Sequence, residues 1–413
     1  MSVAPVRMGR WSAVGLTFGS SAAVLVLEIL AGRLLAPYVG VSLETYTGII
    51  GTVLAAIAVG TAVGGWYADR LDPARVLGPV LLVGGILAWL SLPLLTWLGP
   101  RFGDGPAAIV LLTGVAFFLP AAILSTITPL VAKLRLDDVA HTGEVVGNLS
   151  AAGTAGALVG TFLTGFVLVA AWPTKPIVIA VGAVLVTAGI AVWFRYATSI
   201  PSRGATATIL AALAMSAGLA ATSSSPCERE TGYFCASVDT DPNRPSGRVL
   251  WLDTLRHSYV DLDDPTHLEF RYIRLFDDVV ATTHPDGPLH ALHIGGGGFT
   301  FPRYRDATRD GRNVVLEVDD ELVEIAEEEL GLVRSDDLVV EVGDARLSIE
   351  DEPDGAYDVV VGDAFGGLSV PWHLTTREMV TEIDRVLRDD GVYVLNVIDG
   401  DPFDLVRAEL ATL

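Results

Sequence analysis

The sequence is poor in lysine and lacks histidines spaced to hold a metal ion. Only two of its 27 basic residues are lysines, Lys133 and Lys175. A surface rich in acids and poor in lysine is typical of proteins from salty environments, and a high-GC codon bias would leave the same deficit. The seven histidines show no metal-ligand spacing, so the sequence predicts no metal site.

Cysteine is almost as rare as lysine. The chain has two cysteines, Cys227 and Cys235. In an oxidising compartment such a pair is expected to form a local disulfide. In the cytoplasm the same pair would stay as two thiols in a loop. The disulfide prediction therefore depends on the side of the membrane on which this segment lies.

Charge and hydrophobicity divide the chain near Ala221. Residues 1–221 carry eight acids and eleven bases, which leaves 41 acids and 16 bases for the rest. The net charges are therefore +3 and −25, and most of the apolar excess precedes Ala221. We expect so acidic a second part to repel phosphates, so no nucleic acid partner is predicted.

Seven apolar runs before Ala221 are long enough to cross a bilayer as helices. They extend from Trp11 to Leu30, Thr47 to Tyr67, Val76 to Leu98, Pro106 to Leu134, Val145 to Ala171, Ile177 to Phe194 and Ala205 to Ala221. The first run follows Arg7 and Arg10 and has no small-residue cleavage site, which favours a first span over a removed signal peptide. The amino-terminal 221 residues are therefore predicted to be a multi-pass α-helical membrane domain.

Small residues and prolines predict two details of these spans. Gly153, Gly156 and Gly160 suit close helix packing in lipid. Pro120 and Pro129 lie within the fourth span, where each removes a backbone donor. We expect this span to be kinked or broken.

The short loops between the spans differ in positive charge. One side would hold Arg7, Arg10, Arg70, Arg75, Lys133, Arg135, Arg195 and Arg203, and the other only Arg33, Arg101 and Lys175. The positive-inside rule places the first set in the cytoplasm, together with the amino terminus of a cell-membrane protein. Seven spans then place everything after Ala221 outside the cytoplasm. Without the short, alanine-rich seventh span, everything after Ala221 would lie in the cytoplasm.

After Ala221 the pattern changes to that of a soluble domain. Residues 222–246 are predicted to be a linker, and residues 247–285 a small subdomain with strands at 248–253 and 258–262 and a helix at 268–280. Residues 286–413 are predicted to be an α/β Rossmann-like domain, with strands at 289–294, 313–318, 338–342, 357–361 and 391–398 and helices between them. Ligands of such doubly wound sheets bind at the carboxyl ends of the strands.

Glycines or acids follow four consecutive strands of this predicted sheet. They are Gly295, Gly296, Gly297, Gly298, Glu317, Asp319, Asp344, Ala345 and Asp363. Glycines let the backbone turn sharply near a ligand, and a carboxylate about twenty residues on can accept bonds from ribose hydroxyls. We therefore expect a nucleoside with its ribose at Glu317, its adenine edge at Asp344 and its reacting centre at Asp363. Simple turn-forming or helix-capping roles remain the alternative for the last two.

Four segments resemble the spermidine synthase family of aminopropyltransferases: HIGGGGFTFPRYR, VVLEVDDELVEIAEEEL, VVEVGDARLSI and YDVVVGDAFGGLSVPWHLTTREM. The chain is more similar still to membrane-fused, spermidine synthase-like proteins. The resemblance implies a methyltransferase/spermidine-synthase-type fold and a donor that is decarboxylated S-adenosylmethionine or S-adenosylmethionine. It also implies that Asp363 accepts or orients the proton of an attacking amine.

Three positions depart from the motifs of that family. Its G-G-G-D-G turn has a carboxylate where this chain has Gly298. Its D-x-x-D-P motif corresponds to Asp363 through Gly366, without the second acid, and its Y-H-E element to Tyr272, Ile273 and Arg274. A diamine needs anionic partners at both ends, so we expect an unusual acceptor.

The candidates on the substrate side are Tyr272, Phe365, Trp372 and His373. The last two belong to a loop after Asp363 that could cover a ligand or pack on its own domain. The predicted partners are the lipid bilayer and an amine or membrane-associated acceptor. The chain also ends at Leu413 within a new helix, before the antiparallel pair usual in such folds, and an incomplete sheet edge would invite a homo-oligomer.

Three functions stay open at this point. The first is aminopropyl transfer. The second is methyl transfer, if the missing acid at Gly298 makes room for the carboxylate of intact adenosylmethionine. The third is a transporter with a nucleoside or polyamine sensor, which intramembrane charge such as that of Glu28 would favour. An NAD-dependent dehydrogenase is disfavoured, because its third glycine would fall at Thr300.

Overall fold

The computed structural model describes residues 8–103, 105–136, 141–196, 202–367 and 370–413. The chain forms two compact units, Met1–Pro226 and Cys227–Leu413. The first is helical in all its long elements, and the second combines helices with two sheets.

The first unit is built from ten α-helical segments in the described ranges. They are α1 (Arg10–Val39), α2 (Leu43–Ala68), α3 (Pro73–Leu98), α4 (Pro106–Thr113), α5 (Leu119–Ser125), α6 (Ile127–Arg135), α7 (Thr142–Leu163), α8 (Val169–Ala171), α9 (Thr174–Tyr196) and α10 (Arg203–Thr222). Helices α4 to α6 share one rod, and so do α7 and α8. Seven helical rods in this part of the chain are thus long and apolar enough to cross a membrane, the number that the sequence predicts.

The fourth rod is interrupted twice, and each interruption precedes a proline. A π-helical turn, Gly114–Phe118, separates α4 from α5, and Thr126 separates α5 from α6. Pro120 and Pro129 cannot donate the hydrogen bond to the carbonyl four residues earlier, so the helix is irregular there. The predicted break in this span is confirmed.

Helix α7 packs closely against α1 through its glycines. A Cβ atom on Gly156 would come within 2.1 Å of the Phe18 carbonyl oxygen, and one on Gly160 within 2.6 Å of the Ala22 carbonyl oxygen. Only glycine permits backbones to approach so closely. The close packing expected from these glycines is therefore confirmed.

The second unit contains a small antiparallel sheet and a larger parallel one. The small sheet has the order β1-β2-β3-β4, with β1 (Arg229–Glu230), β2 (Cys235–Thr240), β3 (Gly247–Leu252) and β4 (Leu255–Asp261). The parallel sheet has the order β7-β6-β5-β8-β9, with β5 (Ala291–Ile294), β6 (Asn313–Glu317), β7 (Leu338–Val342), β8 (Tyr357–Gly362) and β9 (Leu387–Leu395). The predicted doubly wound parallel sheet is confirmed.

Helices cover both faces of the parallel sheet. They are α11 (Arg271–Thr283), α12 (Thr300–Thr308), α13 (Asp320–Glu329), α14 (Ala345–Ser348) and α15 (Arg377–Val386), followed by α16 (Asp404–Thr412). Leu292 of β5 is buried on one face with Met379 of α15. Its neighbour Ala291 is buried on the other face with Phe276 of α11. This alternation along β5 is what a strand buried on both faces requires.

The small sheet is larger than the sequence suggests, and it packs on the parallel domain. Strands β1 and β2 lie within residues 222–246, so the linker predicted there is wrong for much of its length. Ala236 of β2 pairs with Leu252 and is buried in the same cluster as Val315 of β6 and Leu322 of α13. Burial of a few apolar side chains stabilises these short, largely polar strands.

Two further boundaries differ from the prediction. Helix α11 begins at Arg271, three residues after the predicted start. Strand β9 begins directly after α15, at Leu387, because that residue pairs with Tyr357 of β8.

The sulfur atoms of Cys227 and Cys235 lie 2.09 Å apart, at bonding distance.

Candidate functional site

The four-glycine turn joins β5 to α12 at the carboxyl edge of the parallel sheet. Gly295 and Gly297 have φ angles of +92° and +52°, which disfavour any residue with a Cβ atom. A Cβ on Gly295 would lie 2.7 Å from the carbonyl oxygen of Asp363. The turn therefore approaches the end of β8 more closely than any side chain would allow.

Glu317, at the end of β6, holds this turn in place. One of its carboxylate oxygens accepts hydrogen bonds from the amides of Gly296 at 2.7 Å and Gly297 at 3.2 Å, and the other accepts from the amide of Asp319 at 3.0 Å. Burial raises the pKa of Glu317, while these three amides act to lower it. The second oxygen keeps a lone pair that could accept a bond from a ribose hydroxyl.

Asp319 is a helix cap rather than an open ligand. One carboxylate oxygen accepts from the amide of Leu322 at 3.2 Å, which caps α13, and the other from the hydroxyl of Thr231 at 2.5 Å. The residue is 1% exposed. Asp319 thus ties α13 to the segment that follows β1, and both of its oxygens are occupied by the protein.

Asp344 combines a capping role with an exposed face. One oxygen accepts from the amide of Arg346 at 2.9 Å at the start of α14, and the other lies 3.4 Å from His373 Nε2. The neighbouring Ala345 is buried. The ring of Trp372 stands edge-on to that of His373 and is 79% exposed.

Trp372 and His373 are two of the predicted substrate-side residues, in a loop that could cover a ligand or pack on its own domain. The structure places them at the end of β7, beside Asp344. They therefore border the nucleoside side of the site, and neither lines the cavity beside Asp363.

Tyr233 is a site residue that the sequence did not suggest. Burial, followed by the charges of Asp319, Asp344 and Glu317, raises the pKa of its phenol. The ring remains 55% exposed. Tyr233 lies in the turn between β1 and β2, within the segment predicted to be a linker, so no local pattern marked it.

Asp363 follows β8 and is held by two neutral donors. The hydroxyl of Tyr272 donates to one carboxylate oxygen at 3.2 Å, and the side-chain amide of Asn396 donates to the other at 2.9 Å. Burial raises the pKa of Asp363, and these two bonds act to lower it. Asn396 comes directly after β9, but it lies inside the strand that the sequence predicts at 391–398, so the predicted strand ends did not mark it.

A cavity of about 530 Å³ opens beside Asp363. Tyr272 and Phe365, two of the predicted substrate-side residues, line it together with Asn396 and His257. Its charged lining also includes Arg256, Glu269, Arg271 and Arg274. Such a cavity next to a carboxylate can admit a small amine and place its nitrogen at the proton acceptor.

Gly298 does not provide the space expected of it. Its amide donates to the Ser258 hydroxyl at 3.0 Å, and a Cβ at this position would lie 2.5 Å from the Ser258 Cβ. The side of the glycine turn that a side chain at 298 would occupy is therefore filled by β4. The expectation that the missing acid leaves room for a donor carboxylate is wrong, because Ser258 already occupies that room.

The chain is similar to known transferases over part of its length. A polyamine aminopropyltransferase of Chromobacterium violaceum is 30% identical over 153 residues, which covers 37% of this chain and 58% of the relative. One from Pyrobaculum calidifontis is 32% identical over 162 residues, covering 36% and 52%. A solved structure of a probable spermidine synthase from Corynebacterium glutamicum is 30% identical, covers 45% of this chain and 68% of that one, and has a TM-score of 0.42.

The likeness to these relatives is partial. The chain spans about half the length of the curated relatives that it matches, with 58% and 46% for the first two. No family model matches the chain.

Proposed function

We propose that this chain, a member of the spermidine synthase-like family, is a membrane-anchored transferase that moves an aminopropyl group from decarboxylated adenosylmethionine to an amine. One observation carries the proposal. The carboxylate of Asp363, held by Tyr272 and Asn396, borders a cavity, and the main-chain carbonyl of the same residue lies close to Gly295 of the glycine turn.

The nucleoside part of the donor is assigned to the edge formed by β5, β6 and β7. Glu317 would accept a ribose hydroxyl, the amide side of Asp344 and Ala345 would face the adenine, and Tyr233 would border the ring. These positions support the proposal because they lie at the carboxyl ends of the parallel strands, where ligands of such sheets bind, and β5 adjoins the point between β5 and β8 where strand order reverses.

The chemistry asks little of the protein beyond alignment and charge. The acceptor nitrogen attacks the aminopropyl carbon attached to the sulfonium sulfur, forming a C–N bond as the bond between that carbon and sulfur breaks. The electron pair of the broken bond stays on sulfur, which becomes the neutral thioether of methylthioadenosine. Asp363 takes the proton that the new ammonium loses and passes it to solvent.

The membrane unit anchors this reaction to a bilayer, with the amino terminus in the cytoplasm and the transferase unit outside. The excess of arginine and lysine on one set of loops supports this orientation. The cysteine pair Cys227 and Cys235 just after the seventh span supports it too, since such a pair is expected to form a disulfide in an oxidising compartment. An outside unit would need its donor delivered across the membrane.

Calorimetry of the detergent-solubilised protein tests the donor. The titrants are methylthioadenosine, decarboxylated adenosylmethionine and adenosylmethionine. We expect the first two to bind. The Glu317→Gln variant should bind both about tenfold more weakly, because a ribose hydroxyl loses a charged acceptor. Preference for intact adenosylmethionine would instead favour methyl transfer, and absence of binding by all three would overturn the nucleoside assignment.

A further inference from the structure

The cavity beside Asp363 has an electrostatic character unlike that of the unit around it. Its charged lining consists of three arginines, Arg256, Arg271 and Arg274, against two carboxylates, Glu269 and Asp363. The lining is therefore net positive within a unit of 41 acids and 16 bases. A positive cavity in an acidic surface attracts an anionic group rather than a second cation.

Two of these arginines keep donors for a ligand. Arg256 lies 3.7 Å from the carboxylate of Glu269 and above the ring of Phe270, so its charge is partly matched. Arg274 donates through a single nitrogen, Nη1, to two main-chain carbonyls. Arg271 has no hydrogen-bond or ion-pair partner among the residues that the structure describes. A guanidinium has five N–H donors, so Arg271 and Arg274 both retain free N–H groups.

The position of Arg271 and Arg274 is unfavourable for the helix that carries them. Both belong to the first four residues of α11, Arg271–Thr283, where the macrodipole disfavours cations. Their spacing of three residues places them as neighbours on one side of the helix. Tyr272, between them in sequence, reaches Asp363. An anion bound by these arginines would offset the unfavourable placement.

His257 completes the lining without changing its charge. Burial lowers its pKa to about 4, so the imidazole is neutral near pH 7. Its Nδ1 lies 3.1 Å from the Ser258 hydroxyl. The charges of the lining are thus those of the three arginines and of the carboxylates of Glu269 and Asp363.

We propose that the acceptor is an amine that also carries a carboxylate, with its nitrogen at Asp363 and its acid group at Arg271 and Arg274. This inference rests on the proposed function and names the acceptor class of the same site. A diamine would bring its distal cation against two arginines, and like charges so placed repel. The group transfer is unchanged, since only the distal end of the acceptor differs.

A pair of acceptors of equal carbon-chain length tests the assignment. Putrescine and 4-aminobutyrate both have four carbons and a primary amine at one end that can react. At the other end putrescine carries an ammonium group and 4-aminobutyrate a carboxylate. Each is titrated into the full-length protein by calorimetry, with and without saturating methylthioadenosine. We expect 4-aminobutyrate to bind at least about tenfold more tightly than putrescine.

Variants then locate the preference. Arg271→Gln should weaken the binding of 4-aminobutyrate by about tenfold and leave the binding of putrescine unchanged or tighter. Arg271→Lys should restore part of the lost binding. Arg407→Gln is the control, because Arg407 is an exposed arginine of α16 outside the cavity. Equal or tighter binding of putrescine, or an Arg271→Gln variant with an unchanged preference, would overturn the inference.

The two proposals fail in different ways. If methylthioadenosine does not bind but 4-aminobutyrate still binds in an Arg271-dependent manner, the proposed transfer is wrong and the anion site stands. If methylthioadenosine binds and putrescine is preferred, the transfer stands and the anion site is wrong.

Discussion

Replacing Tyr272 by phenylalanine should shift the acid limb of the pH–rate profile to higher pH. Asp363 must be ionised to accept the proton, so activity falls as pH drops through its pKa. Burial raises that pKa, and the Tyr272 hydroxyl bond acts to lower it. Tyr272→Phe removes this bond while keeping the ring packed edge-on against Phe276. The pKa of Asp363 should therefore rise further.

The size of the shift follows from the geometry of the bond. Hydrogen bonds to charged groups contribute roughly 1.5–3 kcal/mol, and one pKa unit corresponds to about 1.36 kcal/mol. The contact of 3.2 Å between the Tyr272 hydroxyl and the carboxylate is long, so the lower figure applies. We expect the limb to move up by about one pH unit. Asn396→Leu should act in the same direction, because the amide bonds the other oxygen at 2.9 Å.

The assay is the release of methylthioadenosine, followed as kcat/KM over roughly pH 5 to 9. Tyr304→Phe is the matched control, since its hydroxyl bonds Asp277 at 2.8 Å rather than the site. Above the limb the Tyr272→Phe variant should approach the wild-type rate. A uniform loss of rate with the limb unmoved would refute the reasoning, because Asp363 would then not be the group that titrates.

Three further predictions concern stability. Gly295→Ala should lower the free energy of unfolding by about 1–3 kcal/mol and weaken the binding of methylthioadenosine. The reason is that φ is +92° and the new Cβ would meet the Asp363 carbonyl. Unchanged thermal unfolding would contradict this. Asp319→Ala should lower Tm through loss of about 1 kcal/mol of capping energy, whereas Asp320→Ala, at an adjacent position that does not cap α13, should not. Cys227→Ser should cost about 2 kcal/mol under oxidising conditions and nothing with reductant present, as monitored by denaturant unfolding.

Much of the fold could be predicted because it depends on patterns that the chain repeats locally. The seven apolar runs exceed the length a bilayer requires, and the alternation of apolar strands with amphipathic helices defines the parallel sheet. Glu317 could be found for the same reason. It stands at a strand end about twenty residues after a glycine turn, and only the parallel order of β5 and β6 is needed to bring the two together.

The remaining features depend on contacts between segments that are distant in sequence. Strand β2 is largely polar, and its burial becomes evident only when Ala236 meets the cluster around α13. Gly298 suggests an open space until Ser258 of β4 is seen to fill it. His373 follows β8 in the sequence, yet it contacts Asp344 at the end of β7.

The charge of the cavity beside Asp363 also depends on residues that are distant in sequence. Arg256 and Arg274 are separated in sequence from Asp363 by about ninety residues or more and meet it only at the edge where α11, β4 and β8 converge. No spacing rule in the sequence joins them.

One turnover experiment tests the transferase most directly. The solubilised protein is incubated with decarboxylated adenosylmethionine and either putrescine or 4-aminobutyrate, and the products are identified by mass spectrometry. The account predicts methylthioadenosine and an aminopropylated amine in equal amounts, both lost in Asp363→Asn, a variant that retains methylthioadenosine binding. Formation of S-adenosylhomocysteine in a parallel incubation with adenosylmethionine, or an active Asp363→Asn variant, would contradict it.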